Sequence, residues 1–422
     1  MSEVATVLPA TARPAAWRGL LPWLAAALVL LVAPRVFTSG TSLTMMSIMG
    51  IMVVFALSYN MLLGQTGMLS FGHAVYYGFG AYFAIHAMNG AIRAGLPIPL
   101  PLFPLVGGVA GLTFGVLFGL VSTKRGGTAF AMISLGLAEL VASSANILRS
   151  FFGGEEGITL NRTKLPRLLD LNFGPQIQVY YLIAAWCLVA ALLMYAITRT
   201  PLGRMCNAVR ENPERVQFVG YNPATVRLIA FSLSAFFAGI AGALAAINFE
   251  IVNASYLGLA LSGTVLLAAF IGGTGLFAGP IVGAVLVTWL QVMLSDLTEI
   301  WQLYFGLLFI GIVLFAPGGI AGLVAMHGPL WRRGTLGRLA LPYAVAALPA
   351  AAFLVGAILA IEMAFHLLVK ASDGSAMTFA RVPLDAASAL PWLVAAALVA
   401  GGAVLARPAF RRVAEAWHEA AA

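Results

Sequence analysis

The side chains that most often carry chemistry are sparse in this sequence, and their spacing indicates no reactive centre. The five histidines form no HExxH or related metal spacing, and no GxSxG nucleophile motif is present. Cys187 and Cys206 offer neither a disulfide framework nor metal-ligand spacing. The sequence therefore predicts no catalytic residue, no metal and no cofactor in this chain, and a membrane enzyme is the weakest of the possible function classes.

The sequence also lacks the common motif for nucleotide binding. A phosphate-binding loop of the form GxxxxGK[ST] needs a lysine after glycine, and none of Lys124, Lys164 and Lys370 follows one. ATP-driven work would therefore need a second protein. The net charge of +8 does not indicate a nucleic-acid partner, because basic residues of a membrane protein collect in the loops on one side.

The largest concentration of charge lies between Thr198 and Phe231, "TRTPLGRMCNAVRENPERVQFVGYNPATVRLIAF". Only 9% of the chain is charged, yet this stretch holds five arginines and two glutamates. Asn212 followed by Pro213 predicts a capped helix that Gly220 can end, and Asn222 repeats the signal for the next helix. The loop 199–227 is therefore predicted to be a compact helical element at a membrane surface.

Composition indicates the fold class that positions the charged residues between Thr198 and Phe231. Hydrophobic residues make up 61% of the 422 residues, which predicts an all-α, polytopic helical membrane protein. The 45 glycines and 21 prolines fit this class, because membrane helices use small residues for close packing and tolerate breaks. Apolar windows predict about twelve spanning segments, at 19–34, 44–63, 66–89, 100–122, 128–148, 179–197, 228–249, 257–274, 279–297, 302–323, 341–367 and 387–406.

Basic residues predict how the chain crosses the membrane. If the N-terminal tail, 1–18, is cytoplasmic, most of the 23 lysines and arginines fall in cytoplasmic loops, as the positive-inside rule requires. Both termini and the 199–227 loop are then cytoplasmic, and a long loop around 150–178 lies outside. The first apolar segment is expected to be retained, because Pro34 and Arg35 stand where a signal peptide would have small residues.

A polar and glycine-rich stretch, 57–82, has two interpretations. Its glycines can allow close helix packing, which is their commoner role in membranes. Its polar side chains can instead line a water-filled path through a broken helix, which we favour. The residues proposed for this translocation path are Asn60, Gln65, Gly67, Ser70, Gly72 and His73.

Glu139 is the one carboxylate near the middle of a predicted spanning segment. A charge there costs at least about 2.5 kcal/mol unless it is paired or solvated, so the side chain is expected to face inward. Two roles remain open, namely a structural tie between helices and a part of the translocation path.

Five stretches in order resemble one family. "TPLGRMCNAVRENPERVQFVGYNPATVRLIAFSLSAFFAGIAGAL" resembles the coupling loop and following span of bacterial ABC importer permeases for branched-chain amino acids, the LivH/LivM group, and is most similar to the LivM branch. The resemblance covers residues 20–325. The other motifs are "LSYNMLLGQTGMLSFGHAVYYGFGAY" (57–82), "TKRGGTAFAMISLGLAEL" (123–140), "GGTGLFAGPIVGA" (272–284) and "LLFIGIVLFAPGGIAGL" (307–323).

The resemblance implies a membrane-spanning permease subunit of an ATP-driven ABC importer, with a ten-span core at 19–325, in the bacterial inner membrane. It would form the path for branched-chain amino acids or related small polar solutes. Implied partners are two cytoplasmic ABC ATPases carrying ATP and Mg, a second permease of the LivH type, a periplasmic solute-binding protein and membrane lipid. The implied ATPase-coupling residues are Gly203, Arg204, Arg210, Glu211, Asn212, Arg215, Phe218 and Gly220. The apolar side chains of Val209, Val216 and Phe218 are expected to fill a groove of the ATPase.

Two features depart from the family pattern. Gly318 stands in "APGGI" where the family often has an arginine, and residues 335–422 add two hydrophobic segments and a basic tail of open role. An alternative function is an ion-coupled secondary transporter of small solutes, with Glu139 as its coupling group and a dispensable 199–227 loop. ATP dependence of uptake separates the two.

Overall fold

A computed structural model describes residues 17–421, except for 155, 168–170, 371–373 and 380–381. The chain divides into two compact units, Met1–Leu323 and Val324–Ala422. Both units are mainly helical in the residues described, which confirms the predicted all-α membrane fold.

Helices with two short strands build the described part of the first unit. Its helices are α1 (Trp17–Val36), α2 (Gly40–Thr66), α3 (Ala74–Ala94), α4 (Phe103–Ser122), α5 (Thr128–Ile147), α6 (Arg149–Phe152), α7 (Gln176–Arg199), α8 (Pro201–Glu211), α9 (Pro213–Phe218), α10 (Pro223–Phe249), α11 (Leu259–Gly272), α12 (Gly279–Leu297) and α13 (Trp301–Phe315). Strands β1 (Ile158–Thr159) and β2 (Ile251–Val252) pair antiparallel.

Helix α14 (Gly319–Arg333) follows, and the second unit then forms a long helical hairpin. Helices α15 (Ala340–Val369) and α16 (Ala389–Ala421) are connected through the antiparallel strands β3 (Ala376–Phe379) and β4 (Val382–Asp385). Gly402 lies so close to Phe353 and Pro349 that a side chain there would collide with their backbone atoms. Small residues therefore bring α15 and α16 together, as is usual for helices in a membrane.

The predicted segments coincide with helices. Each of the twelve overlaps one of α1–α5, α7, α10–α13, α15 and α16, with ends that differ by several residues. Within the part of the chain that the structure describes, nine helical stretches are long and apolar enough to cross a membrane. Helix α3 is not among the nine, and Leu20–Val36 within α1 and Leu259–Gly272 are shorter apolar stretches.

Helix α10 lies at the centre of the first unit, packed against α2, α3 and α4. Its contact with α4 depends on glycine, since a Cβ at Gly239 would collide with the carbonyl oxygen of Gly107 and one at Gly111 with that of Ala235. On the side facing α3, a Cβ at Gly242 would collide with the Tyr77 carbonyl oxygen. These three helices therefore pack backbone to backbone.

The junction between α2 and α3 corrects the predicted segment 66–89. Helix α2 continues to Thr66 and ends because Gly67 takes a left-handed conformation with φ of 68°. Residues 67–73 are not helical, and α3 starts only at Ala74. Two serines of other helices hold this junction, because Ser134 Oγ accepts from Phe71 N at 3.1 Å and Ser262 Oγ accepts from Ala74 N at 3.0 Å.

The loop after α6 is fastened to the end of α10 by Arg162. This side chain is only 8% exposed, and its guanidinium donates to the carbonyl oxygens of Phe173 at 2.7 Å and Ile247 at 3.0 Å. Glu250 accepts from Arg162 N at 2.8 Å and places Oε2 3.9 Å from its guanidinium. Burial lowers the pKa of the guanidinium, and the nearby Glu250 partly offsets this. We call this end of the unit the β1–β2 end.

Helices α8 and α9 connect α7 to α10 at the opposite end, which we call the α8–α9 end. Their predicted caps are present. Asn212 Oδ1 accepts from Arg215 N at 3.0 Å, and Asn222 Oδ1 accepts from Ala224 N at 2.9 Å. Gly220 follows α9 with φ of 90°, a conformation that glycine adopts without strain. The predicted helical loop is therefore an ordered two-helix element.

Candidate functional site

The α8–α9 element has one face packed on its own subunit. Cys206, Val209 and Val216 are buried against Val226 and Ala230 of α10. The expectation that Val209 and Val216 fill a groove on a partner is therefore wrong. Both valines pack against the first turns of α10, because the chain doubles back at Asn212 and brings α9 beside that helix.

The other face presents apolar side chains to the exterior. Phe218 is 90% exposed and Val219 is 73% exposed. Beside them lies a groove of about 190 Å³, whose lining includes Met205 and Ala208 with Glu211 and Arg215. A nonpolar side chain that is exposed outside the membrane helices, next to charges of both signs, is typical of a protein interface.

The remaining residues of the predicted coupling set have distinct positions. Arg204 is exposed, whereas Gly203 is buried and packs so close to α7 that a side chain would collide with its last carbonyl groups. Arg210 donates from Nη1 to the carbonyl oxygen of Gly64, near the end of α2. A cation at a helix C-terminus is stabilising, so Arg210 joins the α8–α9 element to the central helix α2.

Thiol labelling tests which face of α8 is buried. Burial raises the pKa of the Cys206 thiol to about 11, so at neutral pH little of it is the reactive thiolate. We expect a water-soluble maleimide to leave Cys206 almost unmodified in the folded protein. A Phe218→Cys variant, with its thiol at an exposed position, is expected to take up one label per chain within minutes. Rapid labelling of Cys206 without denaturant would contradict the packing of α8.

The residues predicted to line a path between 57 and 82 lie mainly in the packed interior. Asn60, Ser70 and His73 are buried. His73 Nε2 lies 3.0 Å from Ser58 Oγ, and Tyr59 donates from its hydroxyl to Ser70 O at 3.0 Å. None of Ser58, Tyr59, Asn60, Ser70 and His73 lines a described cavity. In this subunit they support the α2–α3 junction.

Three further residues of that predicted path also lie at this junction. Gln65 is half-buried in the last turn of α2. Gly72 packs against the backbone of Ser134, where a side chain would not fit. Gly67 alone among the predicted path residues lines a described cavity. The polar character of the stretch was correctly recognised, but the side chains face neighbouring helices.

Glu139 does not face inward as expected. Helix α5 buries Ser134, Ala138 and Val141 on one side, while Glu139 lies on the exposed side. The reason is helical spacing, since Glu139 is rotated by about 100° from Ala138. One turn further, Ser143 is exposed on the same side.

We define the polar face of α5 as Glu139, Ser143 and Asn146, which are all exposed. Their spacing of four and then three residues places them along one line of the helix. The charge of Glu139 is evident in the sequence by itself, whereas Ser143 and Asn146 are identified only by their spacing from Glu139. A polar line on a membrane helix is expected to face water or protein rather than lipid.

Among the described residues, no group of three or more histidine, cysteine or acidic side chains is placed to hold an ion.

Together, the long apolar helices and their buried glycine contacts define a multi-pass helical membrane protein with an ordered α8–α9 element outside its apolar helices. The chain belongs to the family described as branched-chain amino acid transport system / permease component, whose model matches residues 41–317. The match ends before the second unit begins.

Named permeases are similar over much of the chain. The high-affinity branched-chain amino acid transport system permease protein LivM of Salmonella typhimurium is 29% identical over 322 residues, which cover 71% of this chain and 74% of the relative. BraD of Pseudomonas aeruginosa, a permease protein of the same type of system, is 25% identical over 64% of this chain and 91% of its own. LivH of Escherichia coli is 25% identical over 64% of this chain and 90% of its own length.

No solved structure matches the chain. The chain is thus a permease component of a transport system, and its similarity to LivM confirms the predicted resemblance.

Proposed function

We propose that this chain is one of two permease subunits in an ATP-driven importer for branched-chain amino acids or related small polar solutes. The family and the named permeases support the substrate class. The second permease would be of the LivH type. Two ABC ATPases on separate chains would carry ATP and Mg, because the sequence has no phosphate-binding loop of its own.

The observation that carries the proposal is the exposed face of the α8–α9 element. Phe218 and Val219 have no contact that shields them from water, although each is apolar. Docking an ATPase at this face would bury them and fill the adjacent groove, with Arg204 and Arg215 at its rim. Arg210 and its bond to Gly64 O would then pass the movement of the ATPases to α2.

The polar face of α5 supports a path outside the core of this subunit. Glu139 near the middle of a membrane helix cannot face lipid without a cost of at least about 2.5 kcal/mol. We therefore place the translocation path along this face, between this subunit and the second permease. The buried polar residues of the α2–α3 junction then act as its structural support.

The same arrangement predicts the orientation of the chain in the membrane and the end at which a solute-binding protein docks. The α8–α9 end would be cytoplasmic, with both termini on that side of the bacterial inner membrane. A periplasmic solute-binding protein would dock at the β1–β2 end, where Glu156, Lys164 and Arg167 are exposed. The order that Arg162 imposes on this loop supports a preformed docking surface.

The test is co-purification of the tagged chain from its native membranes, followed by mass spectrometry. The unaltered chain is expected to recover ATPases and a second permease. Phe218→Asp removes an exposed aromatic anchor, so it should reduce ATPase recovery by at least about 30-fold while the second permease is retained. Gln217→Asp, which adds the same charge at the exposed neighbouring position, should leave recovery unchanged.

An opposite result would redirect the search. If the folded, unaltered chain recovers no ATPase, the coupling role of the α8–α9 element is wrong. Uptake that needs Glu139 but not ATP would then favour the ion-coupled transporter.

A further inference from the structure

A cavity of about 450 Å³ lies at the α8–α9 end, apart from the groove beside Phe218. The end of α2, the turn between α4 and α5, and the start of α10 meet around it. Its lining includes Gly67, Gly127, Arg210 and Arg227. None of the described residues that line the cavity is acidic.

The two arginines are the charged side chains among the described residues that line this cavity. Arg210 uses Nη1 for the bond to Gly64 O, which leaves its other guanidinium N–H groups available. Arg227 makes no hydrogen bond or ion pair with another described residue, although it is half-buried. Arg227, a half-buried cation without a counter-ion, beside the more exposed Arg210 favours the binding of an anion.

The guanidinium group of Arg227 lies against the turn between α4 and α5. A Cβ built at Gly126 would lie 3.0 Å from the Arg227 guanidinium carbon, so the group rests against the backbone of the α4–α5 turn. Gly127 then starts α5 with φ of 65° and ψ of −140°, and no side chain caps this helix. The unpaired N–H groups of its first turn add a smaller positive potential beside the arginines.

The position of the cavity relates it to the polar face of α5. Gly127 lies at the start of the same helix, and Glu139 is about 18 Å further along it. A zwitterionic amino acid carries one ammonium group and one carboxylate. The path along α5 would therefore offer it a carboxylate near the middle and two guanidinium groups at the α8–α9 end.

We propose that this cavity binds the carboxylate group of the transported solute before its release, with Arg227 as the main anchor and Arg210 as the second donor. This inference rests on the proposed import function. It names an exit site, and it makes one residue of the α8–α9 element a ligand of the solute. Movement of α8 would then change the affinity of the exit site directly.

The test measures ligand binding by the full-length chain in nanodiscs of phosphatidylcholine, from the shift of its thermal unfolding midpoint. The probes are L-leucine, L-isoleucine and L-valine, each compared with its carboxamide, which lacks the carboxylate. At least one amino acid is expected to stabilise the chain, while its amide does not. Arg227→Gln should weaken that binding at least about tenfold, and Arg227→Lys should restore part of it.

A matched control distinguishes binding at this site from a general effect of removing a positive charge. Arg125 is exposed in the same turn and does not line the cavity, so Arg125→Gln should leave binding unchanged. The same binding measurement is repeated with inorganic phosphate and with nanodiscs that contain phosphatidylglycerol. Binding of phosphate or anionic lipid in preference to the amino acids would overturn the assignment to solute carboxylate.

Two other outcomes overturn the inference. One is that no amino acid binds, and the other is that Arg227→Gln binds as well as the unaltered chain. Failure of the inference differs from failure of the proposed function. If the assembled importer with Arg227→Gln takes up amino acids with ATP at the unaltered rate, the exit site is wrong and the import function stands.

Discussion

Gly239→Val is expected to prevent most of the protein from folding. A Cβ at this position would collide with the Gly107 carbonyl oxygen and would lie 3.1 Å from Gly111 Cα, so α10 and α4 must move apart. Inserting atoms into a packed core costs about 1–3 kcal/mol when side chains can adjust. Here the obstacle is backbone, and α10 also packs on α2 and α3, so the loss should exceed about 3 kcal/mol.

The measurement is the yield of monodisperse protein in mild detergent and its thermal unfolding midpoint. Gly311→Val is the matched control, because α13 is also a membrane helix and nothing lies within 4 Å of a Cβ at Gly311. The control should keep a normal yield. An equal yield of the Gly239 variant would mean that α10 and α4 are not in backbone contact.

Arg162→Met is expected to release the loop after α6 from the end of α10. The change keeps an apolar side chain of similar length but leaves the carbonyl oxygens of Phe173, Ile247 and Asn248 without this donor. Leaving a buried polar group without its hydrogen-bond partner costs about 1–3 kcal/mol, so the loss of these bonds should lower the unfolding midpoint. Arg162→Lys should recover little, because one ammonium group cannot reproduce the directions of the guanidinium bonds.

Limited proteolysis of the 153–175 loop and the unfolding midpoint measure this effect. Arg167→Met makes the same change at an exposed position of the same loop and should behave as the unaltered protein. If both variants resist protease equally, Arg162 does not hold the loop in place.

The features that sequence reasoning predicted correctly depend on local signals. Runs of apolar residues locate membrane helices because the bilayer requires a minimum length. The caps at Asn212 and Asn222 were predictable because a cap involves residues only two or three positions apart. The family resemblance was likewise carried by continuous motifs.

The errors concern which side of a helix is buried. Glu139 was placed inside because a membrane charge needs a partner, but one subunit alone does not contain every partner. Val209 and Val216 were assigned to an interface because the path of the chain after Asn212 was not predictable. The contacts of Arg162 with Ile247, Asn248 and Glu250 join positions at least 85 residues apart, and nothing near Arg162 in the sequence identifies these three partners.

The separation between Arg162 and its acceptors also sets an order of events during synthesis. The carbonyl group of Ile247 is made 85 residues after Arg162, which takes roughly 4–17 s at usual rates of translation. During this interval the arginine has none of its α10 acceptors. Ordering of the loop therefore follows the insertion of α10, and a ribosome that pauses between these positions holds the loop unfastened.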